Sequence, residues 1–557
     1  MAANGRELIQ RYDRLVGRRA NYDWRWDRMA PYVAPSRVGI LTGHSEGDKQ
    51  TRNVYDSTMM MAAELMAMFI AGHIINPSQQ WHGFQMRNFL DPDVDMDPVN
   101  EWLEECRDRT LKRCATSSFY AEGPEAMVDY VGFGTGWLLG EEAMQPIHKT
   151  LAGFRGFNFI AQKTGRFVID EGPDGMIDTT FREFMMSARA IDLKWPDDPK
   201  PENIKKALVG DSDKQFKIIQ GIYPRPKGEQ ATYRASGMPF ASCWLDHESK
   251  TVIHESGYRR FPCAISRYHR TPGEVYGRGR GDLAFPDTWT LNTAKRMGFE
   301  DWALKIRPPI LHGSDSVIGT LRLTPGRPTA VNLHGRPIRD QIMPFETGSR
   351  PEISQIKEEE LRKSIRNIFY VEQILALLEV HKSEQTAFEF ARKLELLFRL
   401  LGPVYGRLEW EWLYQIVAIM FETQLYEGGF SPPPPEIESS DGQVDVEFQN
   451  PIAKAQRSGD AESLLMTVQD LSPLTQLAPQ MWDRLDPDEL ASGIMHTRGL
   501  PAKWMRSNKQ VAAVREARQK QDQQDLELQR AEQAAGAAGK VAPLIKALAA
   551  QQGGGRV

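Results

Sequence analysis

The sequence predicts an α+β chain, predominantly helical, and three observations carry that prediction. Apolar residues follow helical spacing near 5–30, 56–73 and 98–117, and again over 286–306 and 351–427. Between about 132 and 270 the pattern changes to short β-like segments, such as Gly165–Asp170 and Lys217–Tyr223, broken by Gly and Pro clusters. At 557 residues, 41% hydrophobic and 26% charged, the chain has the composition of a soluble globular protein and is neither disordered nor fibrous. At roughly 150 residues per domain it holds two to four structural units.

The first helix is charged and aromatic and is expected to end before Pro31 and Pro35, because proline lacks an amide donor and restricts the residue before it. Tyr22, Trp24 and Trp26 lie on it beside Arg25 and Arg28. Nucleic-acid stacking is one reading of that cluster, and packing in a core or subunit interface is the favoured one. Asp56-Ser57-Thr58 supplies a cap for the second helix. The apolar run Met59–Ile75 contains Glu64 and His73 and falls short of about 20 clean apolar residues, so a buried helix is expected and not a membrane span. Asn76-Pro77-Ser78 stops that helix, with Trp81 as an anchoring indole.

Asp91, Asp93, Asp95 and Asp97 precede the third helix, but Pro92, Pro98 and the missing glycine and closing glutamate argue against a calcium loop. Gly132-Phe133-Gly134-Thr135-Gly136 lacks the Lys-Ser/Thr of a phosphate loop and the spacing of a dinucleotide site, so it reads as a tight turn between helix and sheet. A helix over 286–306 is stopped by Pro308-Pro309, and 310–345 is rich in Gly, Pro and β-branched residues. A long helical tract then starts near Pro351 and carries Ile353, Ile356, Leu361, Ile365, Ile368, Val371 and Leu375. A break around His381-Lys382-Ser383 precedes a second long helix over 384–427, terminated by Gly428-Gly429 and the prolines 432–435. Beyond 450 the chain is rich in Gln, Asp and Ala, and the tract Ser507–Gln533 makes only a marginal helix by itself.

A net charge of −5 leaves no basic field of the kind that grips nucleic acid through its phosphates. Nucleic acid is therefore not expected to be gripped; repeated in a homo-oligomer, the charge would favour a polyanion sliding. Cys106, Cys114, Cys243 and Cys263 lack CxxC spacing, and the chain opens without a secretory leader, so all four are read as free thiols in a reducing cytoplasm. HExxH, GxSxG, zinc, kinase and Walker signatures are missing, and the 11 histidines are scattered. The expectation is no enzyme, no catalytic or metal-binding residue and no cofactor. Arg278 and Arg280, on a Gly-rich loop, are candidates for an intersubunit or structural loop, with direct DNA contact as the alternative. Glu358, Glu359 and Glu360 with Arg362 and Lys363 read as helix-face salt bridges, with an acidic channel ring as the alternative.

Four dispersed segments carry a resemblance. They are Tyr55-Asp56-Ser57-Thr58 leading to Asn76–Trp81; Gly132–Gly136 followed by Glu141-Glu142; Val275–Gly281 with Leu291-Asn292 and Lys295; and Leu400–Leu408. In this order the chain resembles the head-to-tail connecting, or portal, proteins of short-tailed bacteriophages, over about 55–435. The resemblance implies a portal-type fold in a ring-shaped oligomer, usually of twelve copies, that forms the DNA channel at one capsid vertex for genome packaging, retention and ejection. It implies a wing over 1–285, stem helices over 286–307 and 351–380 around a clip at 308–346, and a channel loop at 381–386. A wing helix and Pro-rich turn would follow over 387–449, and a crown or barrel over 450–557. His381, Lys382, Ser383 and Glu384 would lie near the DNA, and Glu358, Glu359, Arg362 and Lys363 in the stem. The implied partners are the major capsid protein, scaffolding protein, terminase large subunit, tail adaptor or nozzle proteins and double-stranded DNA that passes non-specifically, with no membrane insertion. It implies a virion protein assembled in the host cytoplasm. Two alternatives are another virion structural protein, such as a tail tube or internal core component, and a packaging nuclease or ATPase.

Overall fold

A computed structural model of the chain describes residues 4–41, 47, 50–51, 53–86, 97–143, 156–226, 237–313, 324–326, 328–331, 342–344, 351–378, 387–435, 437, 444–448, 466, 511 and 513–524. They divide into two units. One is drawn from Met1–Gln85, Cys106–Ser431 and Val444–Ala455, the other from Met86–Glu105, Pro432–Gln443 and Gln456–Val557. In the second unit residues 513–524 are helical and exposed.

The first unit opens with α1 (Gly5–Val33), whose N-cap Asn4 accepts the Arg6 amide. Contrary to expectation Pro31 lies inside α1. It removes a single bond in the last turn, where Trp26, Met29, Ala30, Tyr32 and Val33 are buried, and that packing carries the helix to its end. α2 (Thr58–Ile74), β1 (His82–Met86), the part of α3 (Asp97–Ala115) from Cys106 onward, and α4 (Phe119–Phe133) follow. At the α2 start it is Asp56 whose side chain takes the Thr58 amide, at 2.9 Å.

β2 (Thr135–Glu142) is the centre of a three-stranded antiparallel sheet between β3 (Phe157–Ala161) and β9 (Cys263–Arg267). The second sheet is a five-stranded meander, with neighbours in chain order: β4 (Phe167–Glu171), β5 (Ile177–Ser187), β6 (Gln215–Pro224), β7 (Phe240–Asp246) and β8 (Thr251–Tyr258). Strand alternation divides its two faces. Ile219 packs with Leu8, Ile9, Tyr12 and Leu15 of α1. Ile218 and Phe216 pack instead with Ile191 and Ile204 of α5 (Ala188–Lys194) and α6 (Glu202–Gly210), two helices that the β-like reading of this region does not contain.

α7 (Arg280–Ile306) leads into β10 (Ile310–Gly313), β11 (Pro328–Val331) and β12 (Ile342–Pro344). β10 pairs in parallel with β11 and antiparallel with β12. α8 (Pro351–Ile368), α9 (Val371–Leu378), α10 (Ala387–Leu408), a π-helical turn at Glu409–Leu413, α11 (Tyr414–Tyr426) and β13 (Val444–Phe448) complete the unit, and β13 pairs with β1. One core joins α1, α2, α4, β2, β9 and α7 to α11 around Trp26, Tyr130, Trp137 and Trp412.

Three boundaries correct the sequence reading. α7 starts at Arg280, six residues before 286, because Asp282 caps it by accepting the Gly279 amide at 3.1 Å. The tract 351–380 is two helices, broken where Tyr370 takes a left-handed φ of 55°. The tract 384–427 is interrupted by the π-helical turn. Among the described residues no sheet closes into a barrel. His381, Lys382, Ser383 and Glu384, the aspartates 91, 93 and 95 and nearly all of 450–557 lie outside the described residues.

Candidate functional site: a glycine clasp beside a helix pair

Gly132–Gly136 and Gly277–Gly281, far apart in sequence, lie back to back. Gly134 ends α4 in the left-handed region at φ 92°. Its carbonyl accepts the Tyr268 amide at 2.9 Å, and the Gly277 amide donates to Thr135 Oγ1 at 3.0 Å. A Cβ at Gly277 would lie 2.1 Å from the Gly134 carbonyl oxygen, and one at Gly281 2.3 Å from that of Gly132. Both motifs thus serve close backbone approach, and the first is the helix-to-sheet turn its sequence suggests. Gly277→Ala is expected to cost about 1–3 kcal/mol through overpacking. Gly298→Ala, on α7 with open space around it, is expected to be neutral or to stabilise slightly. Thermal unfolding compares the two, and a Gly277→Ala chain as stable as the parent overturns the clasp.

The two arginines of the clasp part company. Arg278 points outward, its side chain 46% exposed, and pairs with Glu274 through Nε and Nη2. Arg280 turns inward, donating from Nε to the Tyr268 hydroxyl at 2.9 Å and from Nη2 to the Tyr370 hydroxyl at 2.7 Å. Its guanidinium also lies 4.7 Å from the Tyr370 ring, which pins the left-handed joint between α8 and α9.

α7 and α8 pack side by side, tied by Ser364 donating to Asp287 at 2.7 Å. Buried Asp56, just before α2, joins them: Lys295 of α7 reaches it at 2.9 Å and Arg362 of α8 at 3.2 Å. Burial alone would raise its pKa, but hydrogen bonds from Thr58 and Lys295 outweigh that and hold the carboxyl below its ordinary value. Arg362 also pairs with Glu358 at 3.2 Å and Glu359 at 3.1 Å, while Lys357 takes Glu360 at 3.0 Å and Lys363 is exposed. The acidic run is therefore engaged along its own helix, in pairs worth about 0.3–0.5 kcal/mol each. Within the aromatic cluster of α1, Trp26 is buried against Tyr22 and Tyr276, and Trp24 is exposed.

One arrangement has no signal in the sequence. Glu411, in the π-helical turn, is buried against Arg267 of β9, accepting its backbone amide at 2.9 Å and its Nη2 at 2.7 Å. Arg267 also bonds Glu171 and the Gly175 carbonyl. A cavity of about 540 Å³ beside this pair is lined by Arg260, Cys263, Trp410 and Tyr414 among others. Burial pushes the Cys263 thiol up, which disfavours the thiolate a nucleophile needs. All four cysteines are buried, and no disulfide joins them. Among the described residues no group of three or more His, Cys, Asp or Glu is placed to hold a metal ion, and no helix is long and apolar enough to cross a membrane.

The comparisons with known proteins point one way. Residues 5–505 match the family described as bacteriophage head to tail connecting protein. The portal protein of Salmonella phage epsilon15 is 22% identical over 523 residues, covering 93% of this chain and 91% of that protein. The probable portal protein of Bordetella phage BPP-1 is 23% identical over 527 residues, with the same coverage of both. A chain from the virion of a native gene transfer agent particle, 10% identical, aligns over 81% of this chain and 94% of its own, but at a TM-score of 0.28 it carries no argument about fold. The chain therefore belongs to the bacteriophage head to tail connecting protein family, and it is a portal-type structural component of a phage particle and not an enzyme.

Proposed function

We propose that copies of the chain close into a ring, twelve on the family expectation, around the channel through which double-stranded DNA enters and leaves the capsid at one vertex. The observation that carries this reading is the succession α7, the small mixed sheet β10 to β12, and α8, with the two helices packed side by side. It supports taking 286–307 and 351–380 as the stem and 308–346 as the clip, a docking surface for the terminase large subunit and later the tail adaptor or nozzle proteins. Residues 1–285 and 387–449 form the wing, facing the major capsid and scaffolding proteins. Residues 381–386, with His381, Lys382, Ser383 and Glu384, come near the DNA backbone, and 450–557 form the crown. Glu358, Glu359, Arg362 and Lys363 stiffen the stem. The outward Arg278 remains the better candidate for contact with another copy, since Arg280 is engaged within its own chain. The net charge of −5 per copy, multiplied around a ring, favours sliding over retention of a polyanion. Assembly takes place in the host cytoplasm.

Two-dimensional class averages of the purified full chain in negative stain are expected to display closed rings. Monomers under all salt conditions would remove this reading. A virion map placing the chain away from the packaging vertex would favour a tail-tube or internal-core role instead.

A further inference from the structure

α2 is apolar around most of its circumference, with Glu64 its one carboxylate. Its inner faces are buried, yet Met61 is 66% and Met68 42% exposed, and with Leu65 and exposed Glu64 they line one outer stripe at three- and four-residue steps. A helix at a protein surface normally turns polar residues outward; an all-apolar one is covered. The single charge in the stripe, Glu64, makes no ion pair or hydrogen bond among the described residues.

A second surface has the opposite character. α1 and α7 expose Trp24 at 57% and Trp289 at 47%, with the Arg28 guanidinium 4.7 Å from the first ring and 5.3 Å from the second. Beside them lies a cavity of about 500 Å³ lined by Arg28, Tyr32, Trp289, Asn292 and Arg296, among others. Arg28 has no carboxylate partner among the described residues, and Arg296 has only Glu300 at 3.9 Å, the edge of ion-pair range. Asp27, at the cavity wall, is engaged in accepting the Ile40 and Leu41 amides. Exposed Trp and Arg are the residue types that carry most of the energy of protein interfaces.

We propose that these surfaces are the two halves of one contact between copies: the Met61-Glu64-Met68 stripe of one copy seats on the Trp24-Arg28-Trp289-Arg296 surface of the next. This rests on the ring reading above and gives it a contact. The occupant follows from charge complementarity, since one unpaired carboxylate in an apolar stripe matches, in an aromatic frame on the same chain, the Arg28 guanidinium without a carboxylate partner and the Arg296 guanidinium held only at 3.9 Å by Glu300. Because the two surfaces differ, the contact is head-to-tail, the kind that repeats around a ring.

The test is a charge swap in the full chain, read by sedimentation velocity and negative stain, with circular dichroism checking that each variant is folded. Glu64→Arg and the pair Arg28→Glu with Arg296→Glu are each expected to weaken self-association roughly tenfold or more, because each leaves like charges facing across a buried contact. Combining all three substitutions is expected to restore it. Rings of the parent chain that tolerate Glu64→Arg would overturn this contact and leave the ring reading standing, the stripe then belonging to a partner other than a copy. Folded single variants that associate weakly, with no rescue in the combination, also overturn it. A parent chain that never associates overturns both.

Discussion

Glu411→Ala is expected to lower stability by about 3–5 kcal/mol, the cost of removing one partner from a buried ion pair, although Arg267 keeps Glu171. Arg267 has a side chain only 1% exposed, and Glu411 one only 7% exposed. Truncating Glu411 strips the guanidinium of one carboxylate and also orphans the Arg267 backbone amide. Glu411→Gln retains an acceptor for that amide and is expected to cost less. Arg267→Met with Glu411→Leu removes both charges; Glu171 keeps Arg270 at 3.1 Å, so the double variant is expected to stand closer to the parent than Glu411→Ala does. Urea unfolding of the four chains gives the ranking. A Glu411→Ala chain within about 1 kcal/mol of the parent would refute the role assigned to the pair. The π-helical turn is part of that role: Glu411, Trp412 and Leu413 are all buried, whereas three successive residues of a regular α-helix, at 3.6 per turn, spread over more than half its circumference. The wider turn lets the carboxylate and the indole face the same core.

That pair marks the limit of what the sequence makes legible. α2 follows from its apolar run and the end of α7 from Pro308-Pro309, because those signals are local, and the Gly132–Gly136 turn follows from glycine chemistry at α4's end. α4 is not among the helices read from the sequence: Gly123 and Pro124 weaken its helical signal, although Gly123 is tucked against Ile75 and Trp412. The break at Tyr370 leaves no trace either: a tyrosine with positive φ is held there by Arg280, 90 residues earlier. Arg267 meets Glu171 and Glu411 across 96 and 144 residues, and neither separation has a period or motif to announce it. The resemblance across Tyr55–Leu408 reaches further than periodicity because it rests on dispersed motifs, and two of those, the glycine segments, turn out to touch.

Acid is expected to destabilise the chain through His82. The residue is fully buried at the start of β1 between Trp81 and Phe84, with neither ring nitrogen bonded among the described residues. Burial, helped by the nearby Arg107 charge, pushes its pKa down to about 3. The unfolded chain takes up a proton near the ordinary value of 6.5, which the folded chain refuses until about pH 3. The contribution is therefore complete above pH 6.5 and declines as pH falls from there toward 3. At pH 5 the loss is about 2 kcal/mol, because a proton bound only by the unfolded chain costs about 1.36 kcal/mol for each step of one in pH. His82→Leu removes both the titration and the two buried polar atoms, so its stability relative to the parent is expected to grow by that amount between pH 7 and pH 5. Carboxylates that titrate over the same range remain in both chains and cancel in the comparison. Parallel stability curves for His82→Leu and the parent across this window would mean that His82 takes up its proton in the folded chain as readily as in the unfolded one.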